Sequence, residues 1–387
     1  MSLDKMIAPM TARDFADTYW ERKSFFSPGD PGRFADLFSI KDIGRLLHYL
    51  KPSPPEGMLL VKGSQHYARR WTNADGTPRP ALVRAALQEG YSLVVNGLDK
   101  LWEPVERFTH GLQAELHHPV DVNLYVTPPG TQAFSDHWDI MDVFILQVEG
   151  SKAWQVREAA VDRPLPDEHA PVNADKLPPL VFDSELHAGG MLYIPRGHVH
   201  SARTMDTVSI HLSVGIHPKT WIDLFSAAIN AVRSDSRFRG ALPPGYFDSA
   251  GLRDRFEELA ASLPALLDAE LALGHLAQSW FVDHSPPPGD DFLAGEPELT
   301  ADTVVRVRDG VICQVFQGAG YAGIRYSGGR IAGPAKIGPA LDALRRRRRS
   351  AIRELDEKLS AREAVVLVRR LIRDGLLEVE GAGAIDG

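Results

Sequence analysis

The segment "SDHWDIMDVFILQVEGSKAWQV", residues 135–156, sets a His and an Asp two positions apart at the mouth of an apolar run. Along a β-strand, residues i and i+2 point to one face. His137 and Asp139 would then look the same way, with Trp138 turned opposite. A carboxylate beside an imidazole at the edge of a core is costly unless something compensates its charge. A metal ion would do so, given a third ligand. The stretch "GGMLYIPRGHVHSA", residues 189–202, offers one: a strand-like "MLYIP", a Pro-Arg-Gly turn, then His198 and His200 at i and i+2. Two His and one carboxylate on one face of a barrel make the facial triad of non-haem Fe(II) oxygenases, which leaves three metal positions open. An HxD pair alone is a weak signal. HxD on a strand followed, some sixty residues on, by a His beyond a Pro-Arg-Gly turn is far more specific.

Such side chains need a stiff frame. From "YSLVVNGL" to about residue 216, short strand-like runs ("DVNLYVT", "DVFILQVEG", "KAWQV", "MLYIP", "TVSIHLSVGIH") alternate with turn clusters ("PPG", "AGG", "PRG"). Many short strands at this spacing predict a β-barrel or sandwich. Before them, helix signals ("DFADTYWERK", "FSIKDIGRLLHYL") mix with Pro-rich connections such as "KPSPPEG". Residues 219–285 take on helical periodicity, and "SPPPGDD" at 285–291 reads as a linker. The last hundred residues open with strand-like "TVVRVRDGVICQVF" and "AGIRYSGGRIAG". They close with a helix, "SAREAVVLVRRLIRDG", and a strand, "LLEVEG".

With 387 residues, 44% hydrophobic and 24% charged, the chain has the composition of a soluble protein of two or three domains. It shows neither a long apolar span nor a signal peptide, so the expectation is no membrane association and the cytoplasm as the default compartment. One cysteine, Cys313, excludes an internal disulfide framework and a Cys-based zinc site; it reads as a small strand residue. The net charge of −8 is uneven: residues 341–380 carry eleven Lys/Arg against eight Asp/Glu, which leaves about −11 elsewhere. An acidic body suits a cationic partner better than nucleic acid.

The motifs "NLYVTPPGTQAFSDHWDIMDVFILQVEGSKAW", "LYIPRGHVHSA" and "HLSVGIHPKTWIDLF" carry a resemblance. Residues from about 15 to 385 resemble the ribosomal oxygenase branch of the JmjC (cupin-like) family of Fe(II)- and 2-oxoglutarate-dependent oxygenases. The resemblance implies an α+β fold: a double-stranded β-helix (jelly-roll) core with N-terminal α/β elements over residues 1–218, a helical dimerisation segment over 219–285, and a winged-helix domain over 290–387. It implies His137, Asp139 and His200 as iron ligands. His200 is preferred to His198 because the family's ligand falls at that place of the "PRGxxHxA" pattern. Relatives have an apolar or small residue where this chain has His198, which is left for the pocket wall or the surroundings of the ligands.

Lys152 falls fifteen residues after His137, where the family places the basic residue that binds the distal carboxylate of 2-oxoglutarate. A dicarboxylate in a narrow barrel needs a fixed cation opposite its far end. Asn123 and Tyr125 share a strand face by spacing, and relatives use those positions near the co-substrate and the site. His211 and Ser213 occupy a strand that faces inward in relatives, and Ser213 could hydrogen-bond the co-substrate. The implied cofactors are Fe(II), 2-oxoglutarate and O2. The implied activity is hydroxylation of a protein side chain, His or Arg of a ribosomal protein. Lys152 leans slightly toward His, since the bacterial arginyl branch usually has Arg there.

Other features take plainer readings. His117–His118 reads as a surface pair, Glu185 and His187 as solvent-facing, and "RRRRR" at 345–349 as part of a mixed-charge helical face, with direct nucleic-acid binding not expected. Rival readings are a cupin isomerase holding zinc or manganese, a 2-oxoglutarate oxygenase tailoring a peptide natural product, and a non-catalytic winged-helix binding protein with a vestigial barrel. Lys152 and Asn123 speak against the first, and the intact triad against the last.

Overall fold

A computed structural model describes residues 1–50, 57–168, 170–283, 297–327, 329–355 and 359–380. Most of the "KPSPPEG" connection and all of the "SPPPGDD" linker lie outside the described residues. The chain divides into two compact units, Met1–Pro218 and Lys219–Gly387.

In the first unit the strand-like runs form β1 (Phe25–Ser27), β2 (Met58–Lys62), β3 (Gln65–His66), β4 (Ser92–Val95), β5 (Val120–Thr127), β6 (Asp142–Glu149), β7 (Ser151–Ala159), β8 (Leu180–His187), β9 (Met191–Ile194), β10 (His198–Arg203) and β11 (Ser209–Ile216). They build an eight-stranded sheet of order β1-β9-β6-β11-β5-β4-β2-β3 and a three-stranded sheet of order β10-β7-β8. The helices are α1 (Leu3–Ile7), α2 (Ala12–Thr18), α3 (Asp42–Arg45), α4 (Pro80–Gln88) and α5 (Glu103–Leu116).

Side-chain alternation explains the layering. On β5, Val122, Leu124 and Val126 join Phe15 of α2, Val83 of α4 and Phe108 and Leu112 of α5 in one core. Asp121, Asn123 and Tyr125 are therefore turned to the opposite face. On β6 both faces are covered, which is why "VFILQV" reads as a continuous apolar run. Phe144, Leu146 and Val148 enter the helix-side core. Val143 and Ile145 enter a second core with Trp154 and Val156 of β7, Leu186 of β8 and Leu192 of β9. The two sheets thus face each other across that second core, as in a cupin barrel. The fold is mixed helix and sheet.

The second unit begins with α6 (Trp221–Ala231), α7 (Leu252–Ser262) and α8 (Ala269–Asp283). Helix α6 starts at a capping box, in which the Thr220 and Asp223 side chains each accept the other's backbone N–H. Then follow β12 (Val304–Val307), β13 (Cys313–Gly318), β14 (Tyr321–Tyr326), β15 (Gly329–Pro334), α9 (Gly338–Arg347), β16 (Arg349–Ala351), α10 (Ala361–Arg373) and β17 (Leu377–Val379). Their sheets run β16-β12-β17 and β13-β14-β15. Ala364, Leu367, Val368 and Leu371 form the buried stripe of α10 at helical spacing. Cys313 opens β13, a strand residue as read.

Only part of the arginine run lies on a helix. Arg345 and Arg346 pair with Asp342 on α9, at 3.0 and 2.5 Å. Arg348 caps that helix and donates to the Arg308 and Val311 carbonyls. Arg349 pairs with Glu380 at 2.7 Å. Among the described residues, Asp342 and Glu380 are the carboxylates that pair with the run. Among the described residues no single helix is long and apolar enough to cross a membrane; the pair Leu252–Ala265 and Ala269–Ala277 meets that test only when joined across a 94° bend.

Candidate active site

Strands β5 and β11 pair in register, with Asn123 opposite Ser213, Tyr125 opposite His211 and Thr127 opposite Ser209. Strand β7 adds Lys152 and Trp154 from the smaller sheet, and β10 adds His200 and Ala202. Between them lies a cavity of about 320 Å³, walled also by Phe134, His137, Asp139 and Met141.

His137, Asp139 and His200 come together, their donor atoms within 4.8 Å of one another. His200 Nε2 stands 3.5 Å from an Asp139 oxygen. The sequence reading put His137 and Asp139 on a strand; instead they precede β6. Their placement comes from a single antiparallel bridge, in which His137 and His200 exchange backbone N–H···O bonds of 3.2 and 2.8 Å. The Gly197 N–H also donates to the Asp139 carbonyl at 2.9 Å. Each imidazole is further oriented through Nδ1, which donates to a carbonyl: Ser135 at 2.8 Å for His137 and His198 at 3.1 Å for His200. Both Nε2 atoms are thereby left as bases for a metal. Burial and the neighbouring His137 hold the His200 imidazole well below its ordinary pKa, against the pull of Asp139. A neutral, oriented two-His, one-carboxylate set fits a divalent iron with open positions. His198 is outside this cluster and outside the cavity wall. Its backbone carbonyl holds the His200 ring.

Lys152 is 2% exposed. Its ammonium donates to Thr127 Oγ1 at 3.2 Å and stands 5.9 and 5.8 Å from the Tyr125 and Trp154 rings. No carboxylate among the described residues pairs with it, and burial pulls its pKa down to about 7. A buried cation without a counter-charge is expensive. The cavity therefore suits a ligand that brings an anion to this end. Asn123 accepts from the Gly97 N–H at 3.0 Å, which leaves its amide N–H groups for the cavity. Burial holds the Tyr125 hydroxyl neutral, with Asp139 and Asp121 acting in the same direction. Ser213 lines the same wall.

Sequence reasoning missed the frame behind the ligands. The Tyr193 hydroxyl donates to Asp142 Oδ1 at 2.8 Å, and the Arg196 N–H donates to the same oxygen at 3.2 Å. The Arg196 guanidinium pairs with Glu21 at 2.6 Å and donates to the Pro164 carbonyl at 2.9 Å. Burial pushes the Asp142 carboxyl up to about 7. This network fixes the Pro-Arg-Gly turn from which His200 projects. Thr127 and Trp154 were missed as well, although period-two spacing from Tyr125 and Lys152 pointed to both. Of the plainer readings, His117 is exposed and the His187 side chain is 73% exposed; His118 is instead half-buried and stacked on Trp20 at 5.5 Å, and Glu185 is half-buried and accepts from the Ser151 hydroxyl.

A family model described as "JmjC domain" matches residues 100–224. Ribosomal oxygenase 1 from Gallus gallus is 30% identical over 314 residues, covering 73% of this chain and 51% of that protein. The bifunctional lysine-specific demethylase and histidyl-hydroxylase NO66 from Drosophila persimilis is 29% identical over 260 residues, covering 65% of this chain and 37% of that protein. The chain thus spans about half or less of the length of these curated relatives. Among solved structures, Escherichia coli ribosomal oxygenase YcfD matches with a TM-score of 0.56 at 18% identity, covering 96% of this chain and 98% of that one. A structure of that protein in complex with cobalt and 2-oxoglutarate matches at 0.54 and 19%, covering 96% and 99%. At such identities these matches speak to the fold. Residues 100–224 thus match the JmjC domain, and the chain as a whole is similar in sequence and in fold to ribosomal oxygenases.

Proposed function

We propose that the chain is an Fe(II)- and 2-oxoglutarate-dependent hydroxylase of a protein side chain, with His of a ribosomal protein as the preferred target over Arg. The observation that carries this reading is one cavity with an oriented His-Asp-His set along it and a buried, unpaired Lys152 at its other end. A cupin isomerase has no need of that lysine. His137, Asp139 and His200 would hold the iron, and Lys152, backed by Thr127, the distal carboxylate of the co-substrate. Asn123, Tyr125 and Ser213 would line the walls for the co-substrate and the target side chain. When bound, iron and co-substrate supply the oxidation: 2-oxoglutarate, O2 and a C–H bond become succinate, CO2 and a C–OH. The apolar lining at Phe134, Met141, Val143, Ile145 and Trp154 limits water around the reacting atoms.

The names of the relatives support the substrate class, and the acidic balance outside residues 341–380 would draw in a cationic ribosomal segment. The domain reading is 1–218 catalytic, 219–285 dimerising and 290–387 winged helix. The β16-β12-β17 sheet with α9 and α10 supports the last, and an outward apolar stripe on α6 supports a homodimer. Direct nucleic-acid binding is left out because Arg345, Arg346 and Arg349 are already ion-paired. The cytoplasm is the proposed compartment.

The test is to incubate the enzyme with Fe(II), 2-oxoglutarate, ascorbate and unmodified ribosomal proteins, then map mass gains by fragmentation. One added oxygen atom on a single His, with matching succinate release, is the expected result. Succinate release with modification of a small host peptide alone would move the assignment to natural-product tailoring. No metal and no succinate would return it to a binding protein.

A further inference from the structure

Beside Lys152 the cavity holds a polar side chain to which the reading above gives no task. His211 is 1% exposed. Its ring is stacked on Tyr125 at 4.7 Å and 8°, and meets Trp154 edge-on at 5.5 Å. These two aromatic walls fix the plane of the imidazole. Nδ1 is fully enclosed and has no hydrogen-bond partner among the described residues. His211 nonetheless lines the cavity, so Nε2 is the nitrogen that can reach a ligand there. A buried acceptor left bare is tolerated more often than a buried N–H left bare. The enclosed Nδ1 therefore carries the lone pair and Nε2 the proton. Burial keeps the ring neutral, and the nearby Lys152 cation acts in the same direction.

We propose that His211, through Nε2–H, is a second donor to the distal carboxylate of 2-oxoglutarate, beside the Lys152 ammonium; this rests on the co-substrate reading of the same cavity. A carboxylate has two oxygens to satisfy, and one ammonium on a flexible stem sets charge better than it sets orientation. A rigid neutral N–H on β11, in the facing sheet, sets the orientation. It also favours 2-oxo acids with a far carboxylate over those that end in a methyl group.

The experiment uses the full chain loaded with Zn(II), so that no turnover occurs. Calorimetric titration compares 2-oxoglutarate with 2-oxobutanoate, which lacks the far carboxylate, for wild type, His211→Leu and His211→Gln. His211→Leu should weaken 2-oxoglutarate by about tenfold or more and leave 2-oxobutanoate unchanged. His211→Gln, which keeps an N–H donor, should recover most of the loss. Because a Leu between two aromatic rings could disturb the fold, ¹⁵N-histidine spectra of the wild type give a second readout. They should show a protonated Nε2 whose proton moves downfield when 2-oxoglutarate is added. Equal losses for both ligands, no loss, or a proton on Nδ1 would overturn the proposal. If wild type binds 2-oxoglutarate and His211→Leu binds it equally well, only this role for His211 fails. If wild type does not bind it at all, the co-substrate reading fails too.

Discussion

At the scale of single side chains, Asp139, His198 and Lys152 each have a measurable consequence. Asp139→Ala removes one of three ligands and should abolish both metal retention and turnover while leaving the fold, since Asp139 is not part of either core. His198→Ala should keep its metal, because the His200 ring rests on the carbonyl of residue 198 and not on its side chain. Metal analysis of the two purified variants decides both points. Lys152→Ala loses a charge-assisted contact worth roughly 1.5–3 kcal/mol, so the dissociation constant for 2-oxoglutarate should rise about ten- to a hundredfold. Lys152 also predicts a pH dependence. Its ammonium has a pKa of about 7 in the free cavity, and a bound carboxylate would raise it. Below that pH the charge is already present; above it, binding must take up a proton. Affinity should therefore fall by up to about tenfold per pH unit above neutrality, and Lys152→Arg, which stays charged, should flatten the profile. For the ligand-free fold, the buried ammonium costs stability in full below about pH 7. That cost is relieved as pH rises toward the ordinary lysine value of about 10.5.

At the level of elements, the turn between β9 and β10 does the positioning. Gly197 has a φ of +80°, and a Cβ there would lie 1.9 Å from the Val161 carbonyl oxygen. Gly197→Ala would have to shift either that loop or the turn, and the turn carries the N–H that holds Asp139. The expected outcome is a loss on the order of 2 kcal/mol, together with weaker metal binding, read by thermal melts with and without Mn(II). A fall in melting temperature with unchanged metal affinity would place the strain in the loop alone. On α6, Trp221, Ile222, Phe225 and Ile229 are 52–75% exposed, a stripe too apolar for open water. Light scattering at micromolar concentration should show a dimer for wild type and a monomer for Phe225→Asp. A wild-type monomer would remove the dimer from the proposal.

Across the whole molecule, what could be read in advance follows the range of the interactions. Strand and helix runs depend on nearest neighbours in the chain, so "DVNLYVT" and "SAREAVVLVRRLIRDG" were legible as β5 and α10. The His-Asp-His cluster that could hold a metal was legible by residue type and, for His200 over His198, by family resemblance. Their backbone setting was not, because His137 is held by a bridge to a residue far along the chain. The Asp142–Tyr193–Arg196–Glu21 network was invisible for the same reason, since it joins three distant segments. His211 was placed on an inward face by the family resemblance. That its Nδ1 lacks a partner depends on how Tyr125 and Trp154 enclose it, which no local pattern records. The pairing of Arg349 with Glu380 was out of reach of the sequence, because it arises only through the pairing of β12 with both β16 and β17.

The reciprocal backbone bonds between His137 and His200 have a thermodynamic consequence. Two of the three ligands are already fixed by main-chain pairing, and their rings by carbonyls, before any ion arrives. Loading the site should therefore order very little of the chain. Calorimetry should find a heat-capacity change near zero, unlike the large negative value that accompanies coupled folding. With little spent on ordering, almost all of the coordination energy remains as affinity. At a free metal concentration of about 100 times Kd, the unit that holds the site should gain about 2.7 kcal/mol against unfolding, and its circular dichroism should not change.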